Sequence, residues 1–123
     1  MRTNERLMKA WTEEREAART ARSRGDLTSE WSHLERAHIL SQPLVAPHIR
    51  THLAMISCGA RRHDRREVAG QLLRLLLAGP GSITGRYPAG NTGGADVSPF
   101  RPMPIPEDLR ALLEGLDTTE ATR

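Results

Sequence analysis

Glu35, His38, His48 and His52 form the pattern Glu-x2-His-x9-His-x3-His. Imidazole and carboxylate groups at such spacings are the ligand types of a transition-metal site, where a neutral imidazole gives one nitrogen lone pair to the cation. His48 and His52 are four residues apart and therefore share a face if the segment is helical. Glu35-Arg36-Ala37-His38 puts an oxygen and a nitrogen on adjacent turns of another helix, as in metal sites built inside helical bundles. A di-iron site of that kind needs a second Glu-x-x-His on a different helix. The other instance, Glu30-Trp31-Ser32-His33, lies on the same helix with His33 directed away. The pattern therefore predicts one divalent transition ion, or at most two. Zinc, iron or manganese suit these ligands, copper or nickel less so, and Met55 is a soft neighbour one turn from His52.

The elements that must position these groups are helices. From residue 4 to about 24, Leu7, Trp11, Glu14, Ala18 and Ala21 recur at steps of three and four in an Ala-, Glu- and Arg-rich run, which predicts one long helix ended by Gly25-Asp26. Thr28 or Ser29 can cap a second helix to Ser41, and Pro47 is placed to open a third to about residue 60. Asp64 can cap a fourth from residue 65 to 78, stopped by Gly79-Pro80-Gly81. Pro106 opens a short fifth to about 116, whose Leu109, Leu112 and Leu113 form one apolar face. Residues 79–105 are rich in Gly, Pro, Asn, Thr and Ser and keep no periodicity, and loops of that length in a small domain are usually functional or wrapped on its surface.

Winding the second helix at about 100° per residue puts Leu27, Trp31, Leu34 and His38 on one inward face with Glu35 at its flank. In the third helix Ile49, His52, Leu53 and Ile56 share a face with His48 at its edge. An antiparallel turn centred near Leu44 sets residue 38 roughly level with 49 and residue 35 with 52, so the four groups are expected to meet. The turn at Gly25-Asp26 brings Glu14 to the height of residue 37. Glu14 is the charged member of the first helix's apolar stripe, and a carboxylate there needs a partner, so it is expected to join the site and balance its charge.

Composition bounds what else the chain can be. Its 123 residues predict a single domain, 1–123, large enough for its own core. Aromatic residues are few (Trp11, Trp31, Tyr87, Phe100), so the core rests on Leu, Ile, Val, Met and Ala, which favours packed helices over a sheet. The net charge of +3 is a modest surplus and does not imply nucleic acid. Cys58 is the single cysteine, which excludes an internal disulfide framework and a Cys-rich zinc module. The charged N-terminus lacks the apolar core of a signal peptide, and the aliphatic run Leu72–Ala78 is too short to span a bilayer. A cytoplasmic protein without a membrane partner is expected.

The remaining motifs carry less chemistry. Arg61-Arg62-His63-Asp64-Arg65-Arg66 is a basic junction without interleaved aromatics, better read as a solvated turn than as a nucleic-acid contact. Gly90-Asn91-Thr92-Gly93-Gly94 lacks the Lys-Ser/Thr and following helix of a phosphate loop and reads as turn chemistry. Cys58, without a Cys-His-Asn setting, reads as a small buried residue. The segments ending in Gly25-Asp26 and His63-Asp64, about 38 residues apart, each precede a helix and form a weak repeat, loosely tetratricopeptide-like.

The run Trp31-x2-Leu34-Glu35-Arg36-Ala37-His38-Ile39-Leu40, then His48 and His52, Glu67 with Gly70-Gln71-Leu72, Pro88-x-Gly90-Asn91-Thr92-Gly93 and Pro102-Met103-Pro104-Ile105-Pro106 resembles a family of short bacterial proteins classified as a domain of unknown function, family number 3703. The resemblance implies no activity. It does imply that the irregular segment belongs to the domain, where Tyr87, Phe100, Met103 and Ile105 can pack back over the helices and roof the polar site. The expected fold is an all-α, antiparallel four-helix bundle of two hairpins with a wrapped segment and a short C-terminal helix. The expected function is metal binding by His38, His48, His52, Glu35 and Glu14, with hydrolytic or oxidative catalysis as a subsidiary reading. The alternative is a metal-free hairpin module that binds a protein partner or a second copy of itself.

Overall fold

The computed structural model describes residues 2–84, 88–95, 98 and 101–120, with the side chains of 3, 77–83 and 115–120 outside that description. Five helices follow one another: α1 (Thr3–Ser23), α2 (Leu27–Ser41), α3 (Val45–Arg61), α4 (Arg65–Thr84) and α5 (Glu107–Glu120). No strand occurs among the described residues.

The α1–α2 and α3–α4 turns are built alike, which gives the weak repeat a physical basis. At the first, Asp26 N–H donates back to Ala21 O at 2.9 Å and Gly25 N–H to Arg22 O at 3.0 Å. At the second, Asp64 N–H donates to Gly59 O at 2.9 Å and His63 N–H to Ala60 O at 3.1 Å. Each is a left-handed helix stop that satisfies the last carbonyls, with φ of 70° at Gly25 and 56° at His63. Each aspartate then caps the next helix: Asp26 Oδ1 accepts from Ser29 N–H at 3.0 Å, and Asp64 Oδ1 from Glu67 N–H at 2.9 Å. The cap of α2 is thus Asp26, and Thr28 and Ser29 lie inside the first turn. A carboxylate at this position also meets the positive end of the helix dipole.

Two boundaries differ from the sequence expectation. α3 begins at Val45, two residues before Pro47; a proline anywhere in the first turn forfeits no intrahelical bond. α4 runs through Gly79-Pro80-Gly81 to Thr84. Proline removes one N–H and crowds the preceding turn, which makes a helix costlier there without setting its end. α5 likewise extends to Glu120, beyond the expected 116.

Packing follows chain order. α1 lies on α2, α2 on α3 and α3 on α4, while α5 packs on α1 and α2. A closed four-helix bundle would set α4 against α1; here α5 takes the place beside α1. The reason is its apolar face: Leu109 is buried among Leu7, Trp11, Ala37 and Leu40, with Leu112 and Leu113 at the edge. A second cluster joins Ala18, Leu34, Met55 and Cys58 across α1, α2 and α3. Full burial of leucines such as Leu7, Leu34, Leu40 and Leu109 stabilises the fold by about 1.5–3 kcal/mol each.

α4 inverts the usual pattern. Its Glu67, Gln71 and Arg74 are buried, while Leu72, Leu73 and Leu76 are 52%, 54% and 74% exposed. The polar stripe turns inward because it meets polar groups on α3 and in the segment that follows α4. Of that segment, Gly90, Asn91, Gly93 and Gly94 are buried, Met103 N–H bonds to Ala89 O at 3.0 Å, and Ile105 packs on the first cluster. Tyr87 and Phe100 lie outside the described residues.

Candidate metal centre

His38 sits near the C-terminal end of α2, and His48 and His52 occupy successive turns of α3. Because α2 and α3 fold back at Gln42–Leu44, the three rings converge. Their Nε2 atoms form a nearly equilateral triangle, with His38 to His48 at 3.1 Å, His38 to His52 at 3.1 Å and His48 to His52 at 3.2 Å. The ring centroids lie 4.7 to 4.9 Å apart, and the three residues are only 3%, 5% and 2% exposed. These three residues are the grouping of His, Cys, Asp or Glu among the described residues whose ligand atoms could hold a metal ion.

The outer nitrogens decide which way the rings are protonated. His38 Nδ1 lies 2.6 Å from Asn91 O. A carbonyl oxygen can only accept, so Nδ1 carries the proton and Nε2 presents a bare lone pair. His52 Nδ1 lies 2.6 Å from Gln71 Oε1. The Gln71 amide cannot be reversed, because its Nε2 donates to Glu67 Oε1 at 2.8 Å and also to Gly93 O. His52 therefore donates through Nδ1 as well. Whatever proton His48 carries, the 3.1 Å contact between His38 and His52 joins two lone pairs.

Burial reinforces this state. It holds the His38 ring well below the ordinary histidine pKa, with the neighbouring His52 and His48 adding to the effect. His52 is lowered too, chiefly by burial and partly offset by its bond to Gln71. Both are neutral imidazoles at neutral pH, the form that ligates metals.

The segment after α4 closes over the rings. Gly93 has φ of 84°, and a Cβ there would stand 2.7 Å from the His38 ring. Asn91 shapes the turn: its Oδ1 accepts from Gly93 N–H at 2.9 Å, and its Nδ2 donates to Ser98 O and Arg101 O at 2.8 and 2.7 Å. Glu67 accepts from Ala95 N–H at 2.9 Å. Gln42, from the α2–α3 turn, donates to Pro88 O at 2.9 Å and accepts from Gly90 N–H at 3.2 Å. Roofing of the polar site by this segment is thus a feature of the fold.

The two expected carboxylates stand apart from the cluster. Glu14 is part-buried between α1 and α2, where it accepts from His33 Nδ1 and from Arg36 Nε, both at 2.8 Å. Arg36 also bonds Asp108 of α5. The partner that Glu14 needs is therefore a guanidinium with an imidazole, and His33, expected to point away, completes that pair. Glu35 is partly buried and outside the three-histidine group. The residues that sequence reasoning missed are Gln71, Glu67, Asn91, Gln42 and Gly93. One signal was available for the first two: Gln71 and Glu67 are one turn apart, and with Arg74 they form a polar stripe along a Leu-rich helix.

The family model described as "Protein of unknown function (DUF3703)" matches residues 5–113. The chain belongs to that family. The matched span contains the three histidines, Gln71 and the Asn91–Gly93 turn. No curated protein and no solved structure matches the chain. No described helix is long and apolar enough to cross a membrane.

Proposed function

We propose that the protein binds one divalent transition-metal ion on the Nε2 atoms of His38, His48 and His52. The observation that carries this reading is the His38–His52 contact, in which two buried nitrogens with no proton between them face each other at 3.1 Å. Even if His48 donates an Nε2–H to one of them, the other is left an unsatisfied acceptor, at a cost of about 1–3 kcal/mol. A cation converts the same geometry into coordination. An ion about 2.0–2.1 Å from each nitrogen, the usual zinc–imidazole distance, would lie roughly 0.9 Å out of the triangle's plane, with N–metal–N angles of about 100°. That is close to tetrahedral and leaves a fourth position for water or a substrate atom.

The outer partners support the same reading. Metal-bound imidazoles regularly give their second N–H to a carbonyl or carboxylate, as His38 gives it to Asn91 O and His52 to Gln71 Oε1. Three imidazoles without a carboxylate favour zinc, with iron, copper or nickel behind it and manganese last, because manganese prefers oxygen ligands. Glu14 and Glu35 are outside the proposed ligand set. The stacked hairpins α1/α2 and α3/α4 support a tetratricopeptide-like frame for the site.

Elemental analysis of the protein as purified, with a His38→Ala/His52→Ala variant beside it, tests the proposal. About one equivalent of metal in the wild type and none in the variant is expected. Equal metal content in the two would overturn it.

A further inference from the structure

A second concave site lies on the α1–α3 side of the molecule. It is a groove of about 570 Å³ between α1 and α3, with α2 beneath it. Arg15, Arg19 and Arg22 recur along one face of α1, and Arg50 and Arg61 bound the groove from α3. At one end the two walls are joined, where Trp11 Nε1–H donates to Thr51 Oγ1 at 2.9 Å and Arg15 reaches Arg50 O at 3.4 Å.

The charge in this groove is unbalanced. Five guanidiniums line it against one carboxylate, Glu30, which concentrates more positive charge there than the net +3 of the whole chain. Glu30 is already engaged, since both its oxygens accept from Arg61. Arg15, Arg19, Arg22 and Arg50 form no ion pair among the described residues. The buried Nε–H of Arg61 has no hydrogen-bond partner. Arg15 also feels its neighbours: burial lowers its proton affinity first, then the charges of Arg19 and Arg50. Like charges held together around a cavity raise the local concentration of anions and strengthen once water is displaced.

We infer that this groove binds a small organic polyanion bearing phosphate or carboxylate groups. The volume lies in the range of single small-ligand sites, and guanidinium forks match the planar faces of both anion types bidentately. Ala18, Leu34 and Ala54 line the groove between the arginine rows and suit the organic body that carries the charges. Arg15 is held over the Trp11 ring at 5.5 Å, so an anion drawing Arg15 toward it alters the surroundings of an indole.

Titration calorimetry and Trp fluorescence with pyrophosphate and with citrate test the inference. Saturable binding of one molecule per chain is expected, and whichever probe binds tighter assigns the anion type. The Arg15→Gln/Arg50→Gln variant should bind at least about tenfold more weakly, as should Arg19→Gln/Arg22→Gln, whose side chains are exposed and whose loss leaves the fold intact. Arg65→Gln/Arg66→Gln removes the same charge from exposed positions at the start of α4 and should leave affinity nearly unchanged. His38→Ala/His52→Ala should also retain binding, which separates the groove from the proposed metal centre. Absence of saturation, equal loss in the Arg65/Arg66 variant, loss in the histidine variant, or binding confined to an oligonucleotide or a poly-glutamate peptide would each overturn it.

Discussion

His52 and Gln71 hold each other in a single proton arrangement. The imidazole Nδ1–H donates to Gln71 Oε1 at 2.6 Å, and the amide is pinned by its donations to Glu67 and Gly93. One glutamine thus connects α3, α4 and the closing segment, and sets which nitrogen of His52 faces the other rings. A ligand whose orientation is set from outside binds its ion better than one free to turn.

Gln71→Leu preserves side-chain bulk and removes that control. Metal affinity, read by competition with a chromogenic chelator, is expected to fall about 10–100-fold. The metal-free protein should lose about 1–3 kcal/mol in denaturant unfolding, because His52 Nδ1–H is left buried without an acceptor. Wild-type affinity in this variant would show that Gln71 does not tune the site.

Gly93→Ala addresses the closing segment. The new methyl would meet the His38 ring at 2.7 Å at a residue with φ of 84°, so either the ring or the segment must move. Both responses break the His38–Asn91 bond. The expected result is loss of stability of more than about 1–2 kcal/mol together with weakened metal binding, measured by unfolding and by the same chelator competition. An alanine variant as stable and as metal-competent as the wild type would mean that the segment does not press on the ring.

The convergence of His38, His48 and His52 was legible in the sequence because helical period and turn position together determine which side chains meet. Glu14 was misplaced by the same reasoning. A helical wheel gives a residue's face but not which neighbour will neutralise it, and Arg36 and His33 lie closer than the histidine cluster. Asn91 O and Gly93 O could not be foreseen at all, since any residue supplies a carbonyl and only the path of the loop brings the one to the His38 ring and the other to the Gln71 amide. The length of α4 escaped for another reason: Gly79-Pro80-Gly81 raises the cost of a helix, and the boundary depends on contacts elsewhere. Its inward polar stripe followed from partners on α3 and in the closing segment, which hydropathy does not report.

The buried rings also make stability depend on pH. His38 and His52 have folded-state pKa values below the ordinary value of 6.5, so below that pH the unfolded chain binds protons that the folded chain refuses. Stability of the metal-free protein should be level above about pH 7 and fall as pH drops through about 6.5. The slope should reach up to about 1.4 kcal/mol per pH unit for each histidine. Denaturant midpoints between pH 8 and 5 check this, and His38→Asn should reduce the slope. A midpoint that rises on acidification would contradict the neutral-ring assignment.

The two matched turns offer a test in opposite directions. Gly25 and His63 hold the same left-handed stop, with φ of 70° and 56°, but only glycine adopts that region without a Cβ penalty. A Cβ at Gly25 would meet nothing within 4 Å, so Gly25→Ala isolates the conformational cost and should destabilise by about 1 kcal/mol. His63 is exposed, and its ring contributes no apolar burial that would be lost. His63→Gly should therefore stabilise by about 0.5–1 kcal/mol, the strain relieved being partly offset by the greater freedom of glycine in the unfolded chain. Urea midpoints at unchanged m-value measure both effects without altering the histidine cluster. If His63→Gly destabilises as much as Gly25→Ala does, the His63 side chain supports the turn in its own right, and the equivalence of the two stops does not extend to their energetics.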